Sequence, residues 1–251
     1  MSAPISASSV ARPRLQADPQ CLLKVGGFTP FTTTDYPGKL AAVVFVQGCP
    51  WRCGYCHNPH LQSRTADSPL AWPEVIAFLK RRVGLIDAVV FSGGEATMDA
   101  GLEMAVREVR ALGFGIGLHT AGMYPRRLQA VLPWVDWVGM DIKATPEGYT
   151  AVTGVTQSAL AVWESAKLLL ASCVAHEFRT TVHPHLHSEA DILKLAKILQ
   201  AMGIRDYAVQ VFRDTGCADP RLRGTSTAAY PDAAVLAELS ARFSTFTLRT
   251  H

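Results

Sequence analysis

The sequence predicts an α/β fold, a full or partial parallel (β/α) barrel, and three observations predict it. Short apolar runs of strand length recur from residue 41 almost to the C-terminus. Stretches with helical spacing separate most of them. The unusual polar residues follow the apolar runs, and a parallel barrel gathers such positions on the face that carries the active site. The six or seven strand–helix units are more than a small open sheet needs.

The chain becomes regular from about Val25. Residues 41–46 read Ala-Ala-Val-Val-Phe-Val, the continuous apolar run expected of a buried parallel strand. Comparable runs follow at residues 87–91, 115–119, 137–142, 178–183, 207–212 and 246–248. Pro73 opens a helix at a favoured first-turn position. Gly113, Gly115 and Gly117 do not form a dinucleotide fingerprint, because Leu118 stands at the final glycine position; they ease the start of a strand. Residues 158–171 and 231–243 read as helices. Ser188 and Asp191 make an S-x-x-D start, Ile192, Leu195, Ile198 and Leu199 share one face, and Gly203 stops that helix. No linker interrupts the alternation, so residues 25–251 read as one domain. Residues 1–24 are rich in Ser, Ala, Pro and Arg and lack the apolar core of a secretory signal. They read as a disordered extension; Arg12 and Arg14 with few acids are a weaker sign of an organelle transit peptide.

Of the 251 residues, 49% are hydrophobic and 18% charged, which suits a globular protein with a substantial core. A net charge of +3 makes no case for nucleic acid or an acidic membrane surface as partner. No apolar stretch reaches the roughly 18 residues of a membrane span. Cys21, Cys173 and Cys217 are isolated and read as ordinary thiols, while the other three cysteines cluster. That usage points to the reducing cytoplasm and one metal site.

Cys49, Cys53 and Cys56 lie in Gly48-Cys49-Pro50-Trp51-Arg52-Cys53-Gly54-Tyr55-Cys56-His57-Asn58-Pro59, a C-x3-C-x2-C spacing. Three thiolates are one short of the set that completes a four-iron cluster or a structural zinc site. Either a fourth ligand comes from elsewhere, with His57 or His60 at hand for zinc, or one coordination position is open for chemistry. Ser92-Gly93-Gly94-Glu95 follows the second run, His119-Thr120-Ala121-Gly122 ends the third and Asp141-Ile142-Lys143 ends the fourth. Arg179, Thr181 and His183 lie along the fifth, and Gln210 and Arg213 lie near the end of the sixth.

Cys49-x3-Cys53-x-Tyr55-Cys56 followed by Gly93-Gly94-Glu95 resembles the radical S-adenosylmethionine (SAM) superfamily. Thr34-Asp35-Tyr36-Pro37-Gly38-Lys39, the Cys-Gly-Tyr-Cys-His-Asn-Pro context and Asp141-Ile142-Lys143 narrow the resemblance to activating enzymes of glycyl-radical proteins, above all those of anaerobic ribonucleoside-triphosphate reductase. The resemblance covers about residues 26–249. It implies that Cys49, Cys53 and Cys56 hold three irons of a [4Fe-4S] cluster, that SAM binds the fourth, and that one electron, from a donor such as flavodoxin or ferredoxin, cleaves SAM. The 5′-deoxyadenosyl radical then removes a hydrogen atom from a glycine of the partner. In that scheme Gly93 and Gly94 let backbone approach the methionine end of SAM. Glu95 accepts from its ammonium group or fixes the loop that does. Asp141 and Lys143 share a strand face and hold a zwitterion. Tyr55 lies against the adenine, backbone near Cys56 and His57 reads its edge, Arg179 meets the SAM carboxylate or balances Asp141, and Gln210 reaches the ribose.

Other readings exist for the same residues. A Cys3His zinc module, a radical SAM enzyme acting on a small molecule such as a deazapurine-forming enzyme, and an activator of another glycyl-radical enzyme all use parts of the pattern. Glu95 alone suits a helix start, and Asp141 with Lys143 suits a structural ion pair at a barrel rim. His183, His185 and His187 alternate in a Pro-containing loop and are expected to be solvated rather than metal ligands. Trp51 is placed to shield the cysteine loop from water. His119 and Ala144 depart from the acidic residue and the histidine that many activating enzymes carry there, which shifts SAM binding toward Asp141.

Overall fold

The computed structural model describes residues 23–250; the expected N-terminal extension up to residue 22, with Cys21, lies outside the described residues. Eight strands form one sheet in chain order: β1 (Val25–Thr32), β2 (Ala41–Val46), β3 (Ala88–Gly93), β4 (Gly115–Thr120), β5 (Trp137–Asp141), β6 (Ala175–Val182), β7 (Asp206–Val211) and β8 (Thr245–Arg249). From β2 onward every neighbour is parallel, whereas β1 pairs antiparallel with β2. Among the described residues no pairing joins β8 back to β1, so the barrel is partial. The sequence reading missed β1, which carries two glycines and Pro30; Pro30 is tolerated because the strand is at the edge of the sheet.

Helices α1 (Trp72–Lys80), α2 (Leu102–Ala111), α3 (Pro125–Val131), α4 (Tyr149–Thr153), α5 (Ala159–Leu170), α6 (Glu189–Ala201) and α7 (Ala233–Arg242) fill the connections. The expected start of α6 is a capping box: Ser188 Oγ accepts from the Asp191 N–H at 3.2 Å and the Asp191 carboxylate accepts from the Ser188 N–H at 3.1 Å. Leu23 is buried and the Lys24 N–H donates to Asp99 at 3.0 Å, so the folded part includes the two residues before Val25. No helix among the described residues is long and apolar enough to cross a membrane.

Alternation along the strands divides the residues between two faces. Val44, Phe91, Leu118, Met140, Phe178 and Val209 are fully buried against the helices and form the main core. The other face lines the interior. Its lower half is packed by Ala41, Val43, Ala88 and Val90, with Tyr36 from the β1–β2 turn against them. Tyr36 stacks on Trp137 with centroids 5.2 Å apart, and Gly117 makes room for it, since a Cβ there would stand 3.0 Å from the Tyr36 ring. Above this layer the inward positions turn polar: Ser92, His119, Asp141, Arg179 and Gln210.

Candidate active site

The cysteine loop runs from the end of β2 toward α1 and is anchored by backbone. The Gly48 N–H donates to the Leu61 carbonyl at 2.7 Å, Cys49 N–H to Gln62 at 3.0 Å and Arg52 N–H to Thr153 at 2.9 Å. Trp51 is buried and meets Tyr149 edge-on, with ring centroids 6.0 Å apart. Cys49, Cys53 and Cys56 line one cavity of about 190 Å³ together with Tyr55, His57, Gly93, Gly94, Glu95, Asp141, Lys143 and Arg179. Burial pushes the Cys49 thiol up to about 12 and raises Cys53 as well. Binding to a metal therefore displaces protons from these thiols.

The glycines at the end of β3 are needed for the chain's own packing. Gly93 has φ +125°, and a Cβ there would lie 2.3 Å from the Val46 carbonyl oxygen. At Gly94 it would lie 2.4 Å from the Gly48 carbonyl oxygen. Backbone of Val46 and Gly48 thus occupies the space a Cβ would need, while both glycines also line the cysteine cavity. Of the expectations for Glu95, the geometry matches the loop-fixing one and the helix start, since Glu95 caps a short helical turn at Ala96–Met98. Its carboxylate is buried and accepts from the Thr97 N–H at 3.1 Å, the Thr120 hydroxyl at 2.6 Å and the Ala121 N–H at 2.8 Å. It ties the end of β3 to the end of β4.

Asp141 lies between two cations. Arg179 Nε donates to it at 2.9 Å and Lys143 Nζ is 3.6 Å away. Arg179 therefore balances Asp141, one of its two expected roles. Burial works against the Asp141 carboxylate, but Arg179 and then Lys143 outweigh it and hold its pKa below the ordinary value. Burial likewise opposes the Lys143 ammonium, but Tyr55 and Asp141 hold its pKa well above the usual lysine range. The ammonium lies 5.5 Å from the centre of the Tyr55 ring. Tyr55 is buried, and its hydroxyl has no hydrogen-bond partner among the described residues. His119 Nε2 donates to the Asp35 carbonyl at 2.8 Å, and burial followed by Arg179 lowers its pKa to about 4, so it is neutral at physiological pH.

Gln210 stands apart from the first cavity. It lines a neighbouring cavity of about 730 Å³ with Thr34, Asp35, Arg213, Arg249 and Thr250, at the seam between β8 and the β1–β2 turn. The two cavities share His57, His119, Asp141, Arg179 and Thr181. Arg249 on this seam is paired with Glu177 through two bonds of 2.8 and 2.9 Å.

The histidine expectation is overturned in part. His183 and His187 are buried and hydrogen-bonded rather than solvated, while His185 is exposed. His187 Nε2 donates to the Lys143 carbonyl at 2.7 Å, and Lys143 N–H donates to the Tyr149 hydroxyl at 2.9 Å. Neither His187 nor Tyr149 was foreseen as a support of Lys143. The only available signal was that the alternating histidines stand immediately before a helix start.

Three thiols and a carboxylate beside an ammonium line one cavity. This donor set fits a cluster that takes three protein thiolates and a cofactor with amino and carboxylate groups. The Radical SAM superfamily model matches residues 43–212, which includes the cysteine loop and the ends of β3 to β7. The chain belongs to the radical SAM superfamily. This radical SAM enzyme accordingly uses a [4Fe-4S] cluster and SAM. When bound, they supply the one-electron cleavage of a carbon–sulfur bond. The enzyme is 29% identical over 212 residues to MJ1227 of Methanocaldococcus jannaschii, which carries a provisional name as a glycyl-radical enzyme activating enzyme. That match covers 79% of this chain and 84% of the relative. It is 32% identical over 126 residues to the pyruvate formate-lyase-activating enzyme of Clostridium pasteurianum, covering 48% of this chain and 52% of that one. Among solved structures it resembles QueE from Escherichia coli, with a TM-score of 0.58 at 17% identity over 92% of this chain and 96% of that one. SuiB of Streptococcus suis bound to S-adenosylmethionine gives a TM-score of 0.64 at 13% identity over 82% of this chain and 48% of that one. At such identities these two likenesses establish the fold alone.

Proposed function

We propose that this radical SAM enzyme activates a glycyl-radical enzyme, and that the partner is an anaerobic ribonucleoside-triphosphate reductase. The observation that carries the activating role is the similarity to activating enzymes, which extends over 212 residues in MJ1227. The seam cavity beside the cysteine cavity supports it, because a glycine of a partner loop needs room next to the cofactor. The choice of reductase rests on the Thr34–Lys39 run and the Cys-Gly-Tyr-Cys-His-Asn-Pro context.

In this reading Cys49, Cys53 and Cys56 hold the cluster, and Asp141 and Lys143 orient the amino-acid end of SAM. Tyr55 lies beside that cofactor, and a flavodoxin or ferredoxin supplies the electron in the cytoplasm. The test is anaerobic reconstitution, reduction with SAM and the reductase, and electron paramagnetic resonance. A glycyl-radical signal on the reductase is expected. An intact cluster that cleaves SAM but yields no such signal refutes the choice of partner.

A further inference from the structure

The connection between β7 and α7 lies against the second half of the cysteine loop. His57 Nε2 donates to the Arg213 carbonyl at 3.1 Å, and its ring stacks on Phe212 with centroids 5.7 Å apart. Cys217 is buried, and its thiol donates to the Gly54 carbonyl at 3.4 Å. Gly216 has φ +84°, and a Cβ there would stand 2.3 Å from the His57 carbonyl oxygen, so only glycine lets the two segments touch.

The same connection is held from behind. His183 Nε2 donates to the Leu222 carbonyl at 3.1 Å, and its ring meets Phe212 edge-on at 4.8 Å. His183 Nδ1 accepts from the His185 N–H at 3.0 Å. Both ring nitrogens are engaged, and together the two bonds impose the neutral Nε2–H form. His187 repeats the pattern: Nδ1 accepts from the His183 N–H at 3.3 Å and Nε2 donates to the Lys143 carbonyl at 2.7 Å. A single turn before α6 therefore grips both the cover of the cysteine loop and the strand end that carries Lys143.

We propose that residues 213–222 form a brace that fixes the Cys53–Cys56 half of the cysteine loop against the cofactor cavity, with His183, Gly216 and Cys217 as its positioning residues. The brace acts on cluster retention and needs no particular partner protein, so it goes beyond the activating role. It is tested on the full chain, reconstituted anaerobically without SAM or partner. Two quantities are read: iron release to excess chelator, and the paramagnetic resonance spectrum of the reduced cluster. H183A, G216A and C217A are expected to release iron about tenfold faster than the unaltered protein, with shifted or broadened spectra and unchanged far-ultraviolet circular dichroism. H183Q retains a donor for the Leu222 carbonyl and C217S retains one for the Gly54 carbonyl, so both are expected to stay near the unaltered protein. If H183A and C217A release iron at the unaltered rate with unaltered spectra, the brace is refuted. C217A removes one thiol and adds no bulk, so it decides the matter should G216A fail to fold. An unaltered protein that takes up no iron refutes the cofactor assignment instead.

Discussion

Gly93 and Gly94 separate packing from cofactor binding in one experiment. A methyl group at Gly94 would lie 2.4 Å from the Gly48 carbonyl oxygen, 2.8 Å from its carbon and 3.0 Å from the Leu61 carbonyl oxygen. All three are backbone atoms, so no side chain can swing aside. Overpacking of this kind costs about 1–3 kcal/mol. At Gly93 the clash with Val46 is joined by the cost of a positive φ for alanine, about 1–3 kcal/mol more, for a total of roughly 2–6 kcal/mol. A domain of this size loses about 2–4 °C of Tm per kcal/mol. Gly94→Ala should therefore melt about 2–12 °C lower and Gly93→Ala about 4–24 °C lower. The assay is thermal unfolding of reduced, cluster-free protein without SAM. If the glycines serve only the approach of SAM, both variants will melt together with the unaltered protein and lose SAM affinity alone. That result would refute the packing argument.

Cys49→Ala, Cys53→Ala and Cys56→Ala should each abolish cluster assembly, whereas Cys173→Ala at an exposed position should retain full iron content. Iron analysis checks this, and an iron-free Cys173→Ala protein would overturn the ligand assignment. Arg179→Met leaves Asp141 with Lys143 and partial hydration and should cost about 1–3 kcal/mol at neutral pH. Because the folded-state pKa of Asp141 is depressed, its contribution is present above the ordinary carboxylate pKa of about 3.9 and is lost as pH falls through the folded value. The variant's acid-unfolding midpoint should accordingly rise; identical acid profiles would refute the pairing. His119 has the opposite chemistry but also a depressed pKa, from 6.5 to about 4. Folding disfavours its protonation, so stability is complete above pH 6.5 and falls as pH drops toward 4. His119→Asn should flatten that decline in urea melts, and an unchanged decline would remove His119 as its source.

Strands β2 and β3 were the most legible because each is a short, largely apolar and buried run, and the S-x-x-D start of α6 was legible because its capping is local. Pro30 and two glycines obscured β1, whose strand character comes from pairing with β2 rather than from its own residues. Chemistry at strand ends was likewise legible in kind: every expected site residue but Gln210 lines the cysteine cavity. What could not be read were contacts between residues far apart in sequence. Glu95 with Thr120 and Ala121, His187 with Lys143, and Cys217 with Gly54 all depend on loops meeting above the barrel. The glycines show the same limit. Their identity was correctly marked as special, but the atoms that require them belong to Val46 and Gly48.

The Tyr36–Trp137 stack gives the interior of this protein a floor. Below it, small apolar side chains occupy the space; above it, the wall is polar and leads to the cysteines on one side and the seam on the other. The interior therefore opens in two directions, at the cysteine loop and along the seam. Tyr36 lies on the turn between the edge strand and its neighbour, so the floor of the interior is supplied by the least regular part of the sheet.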